Sequence, residues 1–189
     1  MGASWLDPVN GYAKYVDMTS WADWYLVSEL TRNQDSAFFA SCKLYKERDT
    51  AAAPGRLRMG PLWDSDLSLG NGYNIAASII RDWSGNAEAW HTRQGVWLNR
   101  MLSDPAFVAV VAARWALLRD SLYGSDGVVE WARTLALRLS YAAAADGRRW
   151  GYDADIRSRA ELVFRWLRRR VAWLDPRIKT PVVVNRINN

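Results

Sequence analysis

The 189 residues contain one cysteine and one histidine. A lone Cys42 excludes a disulfide framework, and together with a lone His91 it leaves no ligand set for a structural zinc ion. No Gly-x-Ser-x-Gly elbow is present, so Ser-His-Asp chemistry of that kind has no nucleophile to start from. Long uncharged runs are missing as well: no uncharged stretch reaches the roughly 18 residues that a membrane-spanning helix needs. The opening Met1-Gly2-Ala3-Ser4-Trp5-Leu6-Asp7-Pro8 has no basic region followed by an apolar run, which excludes a secretory signal of the usual pattern at this position. A chain that begins on a polar turn and passes into an aromatic helix reads as the C-terminal part of something longer. Its compartment is left open.

Half of the residues are hydrophobic and 24% are charged, which excludes a disordered polar chain and a collagen-like repeat. At this length one domain is expected, burying roughly 70% of its unfolded surface without staples. Tryptophan is over-represented, with 12 residues against 4 phenylalanines. The net charge of +5 comes almost entirely from arginine, which is densest at Arg165-Trp166-Leu167-Arg168-Arg169-Arg170. Such a run can grip phosphates. Here Val163, Leu167 and Val171 claim one side of the helix for the core, so the arginines read as its solvated side and nucleic acid is a disfavoured partner.

Periodicity predicts a mainly α chain with a small β-hairpin. A helix with a wide apolar surface follows a cap at Thr19 or Ser20 and stops near Asn33. Strands are expected at 43–46 and 57–63, joined by a long loop, and a further loop runs from Asp64 to Asn74. Residues 75–95 carry mixed signals. Helices are expected over 87–102, over 105–122 with Ser103 or Asp104 as cap, over 126–145 and over 153–174, the last burying Ile156, Ala160, Val163, Leu167, Val171 and Leu174. The tail around Val182-Val183-Val184 reads as a short strand or a frayed end.

Few residues carry chemistry. His91 reads as an ordinary or satisfied histidine and Cys42 as a small buried hydrophobe. Asp64 and Asp66 alternate with Ser65 directly after an apolar strand and before Gly70-Asn71-Gly72. In an extended stretch, positions two apart point the same way, so both acids would face one side. Like charges so placed suit a divalent cation, and Mg²⁺ is held by one or two carboxylates together with substrate phosphates. Asp35 lies in the irregular segment after the first helix, behind Asn33. On the residues alone, helix caps and turn formers are the favoured account of these acids.

In order along the chain, Tyr15-Val16-Asp17-Met18-Thr19-Ser20-Trp21-Ala22-Asp23-Trp24-Tyr25 with Glu29-Leu30 and Asn33-Gln34-Asp35, then Leu44-Tyr45-Lys46-Glu47-Arg48, then Gly60-Pro61-Leu62-Trp63-Asp64-Ser65-Asp66-Leu67 with Gly70-Asn71, are similar to three segments of the CotH kinase family. Trp97 through Phe107 and Leu162 through Asp175 resemble two further segments, so the likeness covers about residues 11–175. The resemblance implies the C-terminal lobe of an atypical protein-kinase-like fold, as a single domain over residues 1–189, with the N-terminal nucleotide-binding lobe absent from the chain. It implies ATP and Mg²⁺ or Mn²⁺ as cofactors and a protein Ser or Thr as phosphoacceptor, as in bacterial spore-coat assembly. By the same resemblance Asp35 is the catalytic base, Asp64 a metal ligand with Asp66 beside it, and Asn33 and Trp63 line the cofactor. These residues alone are then expected to be inactive or nearly so.

Several positions depart from the family pattern. Ser65 replaces an aromatic, Leu69 stands where Phe is common, Arg58 falls near a position where some members offer an aromatic to adenine, and Ser41 stands roughly where some have an Asn. The alternative reading is a non-catalytic helical interaction module, in which Trp63, Trp83, Trp90 and Trp97 form a docking surface.

Overall fold

The computed structural model describes residues 5–70, 86–119, 127–152 and 155–178. Within them the chain is mainly helical with one two-stranded sheet, as the periodicity predicts. The expectations for Asn71–Gly85, for the end of the helix beyond residue 119 and for the tail strand lie outside the described residues.

Helix α1 (Met18–Thr31) is the centre of the fold. Its cap is Asp17, in place of the expected Thr19 or Ser20. The Asp17 carboxylate accepts the Ser20 N–H while Thr19 and Ser20 already lie inside the first turn. Trp21, Ala22, Trp24, Tyr25, Leu26 and Leu30 are all buried, so α1 is wrapped on nearly every side. It ends where Arg32 turns into the left-handed region and returns its N–H to the Ser28 and Glu29 carbonyls.

Strands β1 (Leu44–Lys46) and β2 (Leu57–Met59) pair antiparallel, Leu44 opposite Met59 and Lys46 opposite Leu57. The second strand is shorter than expected. Gly60 still donates to the Lys43 carbonyl, but Pro61 has no N–H and the ladder stops there. Leu57 fastens the hairpin to the start of α1: its carbonyl accepts from Asp17 N–H and from Trp21 Nε1, and its own N–H donates to Tyr15.

Helix α2 (Val96–Met101) is also shorter than the periodicity predicts, because Ala87–Gly95 is not α-helical. Its backbone groups are engaged elsewhere. The N–H groups of His91 and Arg93 donate to the Glu29 carboxylate, and the carbonyls of Ala87 and Ala89 accept from Arg170. Helix α3 (Pro105–Leu118) has Asp104 as cap and Pro105 in its first turn, and Arg114 forks onto Asp23 of α1 at 2.6 and 2.9 Å. Helix α4 (Gly127–Trp150) runs on past the expected stop to Gly151, whose φ of +71° closes it.

Helix α5 (Ile156–Leu174) starts behind Asp155, which accepts the Ser158 N–H. Leu167 and Leu174 are buried as expected, but Ile156, Ala160, Val163 and Val171 are only half-buried, and Phe164, Trp166 and Arg170 occupy the core face. Arg170 therefore does not belong to the solvated side assigned to the arginine run. Of the tryptophans, Trp21, Trp24, Trp115 and Trp166 are core, whereas Trp63, Trp97, Trp131 and Trp150 are exposed.

Candidate active site

Asp35 sits on a single 3₁₀ turn, Gln34–Ala37, immediately after α1. Asn33 caps the turn: its side-chain oxygen accepts the Asp35 N–H at 3.1 Å, and its amide donates to Ser65 Oγ at 3.3 Å. Ser36 is buried, donates to the Asn33 carbonyl at 2.6 Å and shares a 2.6 Å hydrogen bond with Thr92. Gln34 N–H donates to Leu67, and Leu69 N–H donates to Thr31, so the loop carrying Asp64 lies alongside the turn carrying Asp35.

A third residue joins the two acids. Ser41 Oγ is 3.1 Å from Asp35 Oδ2 and 3.5 Å from Asp64 Oδ2, so one hydroxyl stands between both carboxylates. The alternation argument for Asp64 and Asp66 does not apply here, because Asp64 has φ +57° and the stretch is not extended. Asp66 is exposed two residues further on.

Backbone strain gathers at this place. Among the described residues the non-glycine positions in the left-handed region are Arg32, Phe38, Ser41, Asp64 and Leu69, all on the two segments that meet here. Each costs about 1–2 kcal/mol relative to ordinary backbone. Such strain persists where surrounding contacts over-determine it, and it concentrates at functional sites.

Around the acids lie a small cleft and two unlike rims. Cys42, partly buried, places its sulfur 3.6 Å from the Asp35 carbonyl, and burial pushes its thiol pKa up. Trp63 is 59% exposed, with Lys43 Nζ 5.9 Å from its ring centroid. Trp24, Asn33, Asp35, Ser41, Cys42 and Trp63 all line the same cleft. Arg58 faces away from it, paired with Asp17 at 3.0 Å and with Glu47 at 3.2 Å.

The donor set suits a hard divalent ion that brings its own phosphates. Asp64 is an open carboxylate with Asp35 and a hydroxyl beside it, and among the described residues no group of three His, Cys, Asp or Glu could cage an ion unaided.

Behind the turn is a buried polar hub that the sequence reading missed. Arg170 Nη2 meets Glu29 Oε1 at 2.8 Å, with neither side chain exposed. The same guanidinium donates to the carbonyls of Glu29, Ala87 and Ala89. The segment that the pair fixes then holds the turn, through Thr92 on Ser36 and through His91 Nε2 donating to the Gln34 carbonyl at 2.8 Å. His91 is thus a satisfied histidine, as expected. The available signal for Arg170 was its spacing, three after Leu167 and four before Leu174, which places it on the apolar stripe.

A family model described as CotH kinase protein matches residues 6–174. The chain belongs to the CotH kinase family. Among curated proteins and among solved structures nothing matches. The CotH-family match takes in both segments of the candidate site, and the structure brings Asn33, Asp35, Ser41, Trp63 and Asp64 of this CotH chain together from positions up to 31 residues apart.

Proposed function

We propose that this chain is the catalytic-loop-bearing, C-terminal lobe of a CotH-type protein kinase, whose full-length enzyme transfers the γ-phosphoryl group of ATP to a protein Ser or Thr. The observation that carries the reading is the single Ser41 hydroxyl within reach of both the Asp35 and the Asp64 carboxylates. Phosphoryl transfer asks little covalent chemistry of a protein; it needs a positioned base and charge neutralisation around the phosphates. A bound Mg²⁺ or Mn²⁺ would supply that neutralisation and orient the phosphate chain. Asp64 is the ligand assigned to it, with Asp66 in support.

In this reading Asp35 Oδ2 accepts the proton of the acceptor hydroxyl, and Asn33 and Ser36 hold Asp35 by fixing the turn under it. The Ser41 hydroxyl keeps the two acids at a set separation, and its bond to Asp35 gives way when the acceptor hydroxyl arrives. Trp63 offers an exposed ring at the edge of the cleft for the nucleotide. The assignment of Asp35 is tested with γ-labelled ATP in the full-length enzyme: Asp35→Asn is expected to lower transfer about 10²–10⁴-fold while leaving the fold unchanged by circular dichroism. Transfer at the parent rate by Asp35→Asn would remove Asp35 from the reaction.

A further inference from the structure

Charge is divided unevenly over this chain. Helices α4 and α5 carry ten arginines against Glu130, Asp146 and Glu161, a surplus of seven positive charges in a chain whose whole surplus is five. The rest of the molecule is therefore net acidic. Arg170 is buried and Arg133 half-buried; the other eight arginines of the two helices are exposed.

Helix α4 is also the least covered helix. Only Val129 and Gly147 are buried along its 24 residues. Trp131 and Ala142 face away from them, and from there a stripe winds through Leu135 and Leu139 to Trp150 on the flank, with Trp131, Leu139 and Trp150 exposed by 65%, 52% and 67%. Arg138 and Arg149 stand on the same side. Asp146, the acid that shares it, is engaged by the Tyr152 hydroxyl. The two tryptophans bracket the stripe about 28 Å apart at 1.5 Å per residue. Among the described residues no helix is long and apolar enough to cross a membrane.

We propose that the α4–α5 hairpin docks on an anionic lipid bilayer, with α4 lying in the plane of the headgroups. A helix of low net hydrophobicity that combines Trp and Leu with arginine is built for that boundary, where the rings enter the acyl edge and the guanidinium groups stay with the phosphates. A two-fold dimer through this face is a poorer occupant, since it would set two cationic faces against each other. Nucleic acid would answer the arginines and leave Leu135 and Leu139 without a role.

The test is co-sedimentation of the chain with vesicles of phosphatidylcholine mixed with phosphatidylserine, and with vesicles of phosphatidylcholine alone. Binding is expected only to the mixed vesicles, weaker by more than about tenfold both for Arg138→Glu/Arg149→Glu and for Leu139→Ser/Trp150→Ser. All four positions are exposed, so the variants should keep the parent circular dichroism spectrum. No binding to mixed vesicles, or equal binding by either double variant, overturns the proposal. So does a dimer that Leu139→Ser dissociates, or retention on DNA that Arg138→Glu/Arg149→Glu abolishes in a chain that ignores vesicles.

Discussion

Nε2 of His91 lies 2.8 Å from the Gln34 carbonyl, one residue before Asp35, and its backbone N–H donates to Glu29. Burial lowers the imidazole pKa below the usual histidine range; the Gln34 carbonyl and Glu29 oppose that fall, while Arg32 and Arg170 add to it. The folded chain therefore binds this proton more weakly than the unfolded chain does. The resulting stability is present above about pH 6.5 and is lost as the pH falls below it, toward the folded-state value. Thermal melts from pH 7 to pH 5 are expected to show a steeper fall in Tm for the parent than for His91→Gln. Equal slopes would mean that His91 is not held neutral by its surroundings. Residues of this kind are hard to read from sequence: a lone histidine signals little, and its partners, Gln34 and Glu29, become neighbours only through the fold. Asp35 and Asp64 were legible as candidates because acids flank recognisable segments; their meeting through Ser41 was not.

At the scale of elements, the helices and the hairpin follow from periodicity, caps and breakers, and their errors have physical causes. The segment from Ala87 to Gly95 has helical composition, yet its donors and acceptors are claimed by Glu29 and Arg170, and a long-range ion pair outweighs local propensity. Similarly β2 stops early because Pro61 follows Gly60, a stop that was written in the sequence. The Arg170–Glu29 pair ties α5 to α1 and, through the 87–93 segment, to the Asp35 turn. Removing the guanidinium leaves a fully buried carboxylate without its cation, which costs about 3–5 kcal/mol. Arg170→Met is accordingly expected to lower Tm by roughly 10 °C or more, whereas Arg169→Met, on the exposed side, should stay within about 2 °C. A melt of Arg170→Met that overlays the parent would deny the pair its role.

For the whole molecule, the family match and the fold agree with the expectation of a mainly helical CotH-family chain, and the family supports use of a nucleotide and a divalent metal in general. The placement of strain supports the site proposed above. Two segments about 30 residues apart in sequence both adopt costly backbone where they meet, and the acids stand at that junction. The core was legible in outline, since the wide apolar surface of α1 and the spacing of Leu167 and Leu174 on α5 marked it. Its polar centre was not, because nothing local distinguishes Arg170 from the solvated arginines beside it. The central claim is that Asp64 belongs to a metal–nucleotide site, and calorimetric titration of Mn²⁺ into the chain with ATP present tests it most directly. The account predicts binding weakened at least about tenfold by Asp64→Asn, with the thermal melt unchanged. Binding by Asp64→Asn as tight as that of the parent would contradict it.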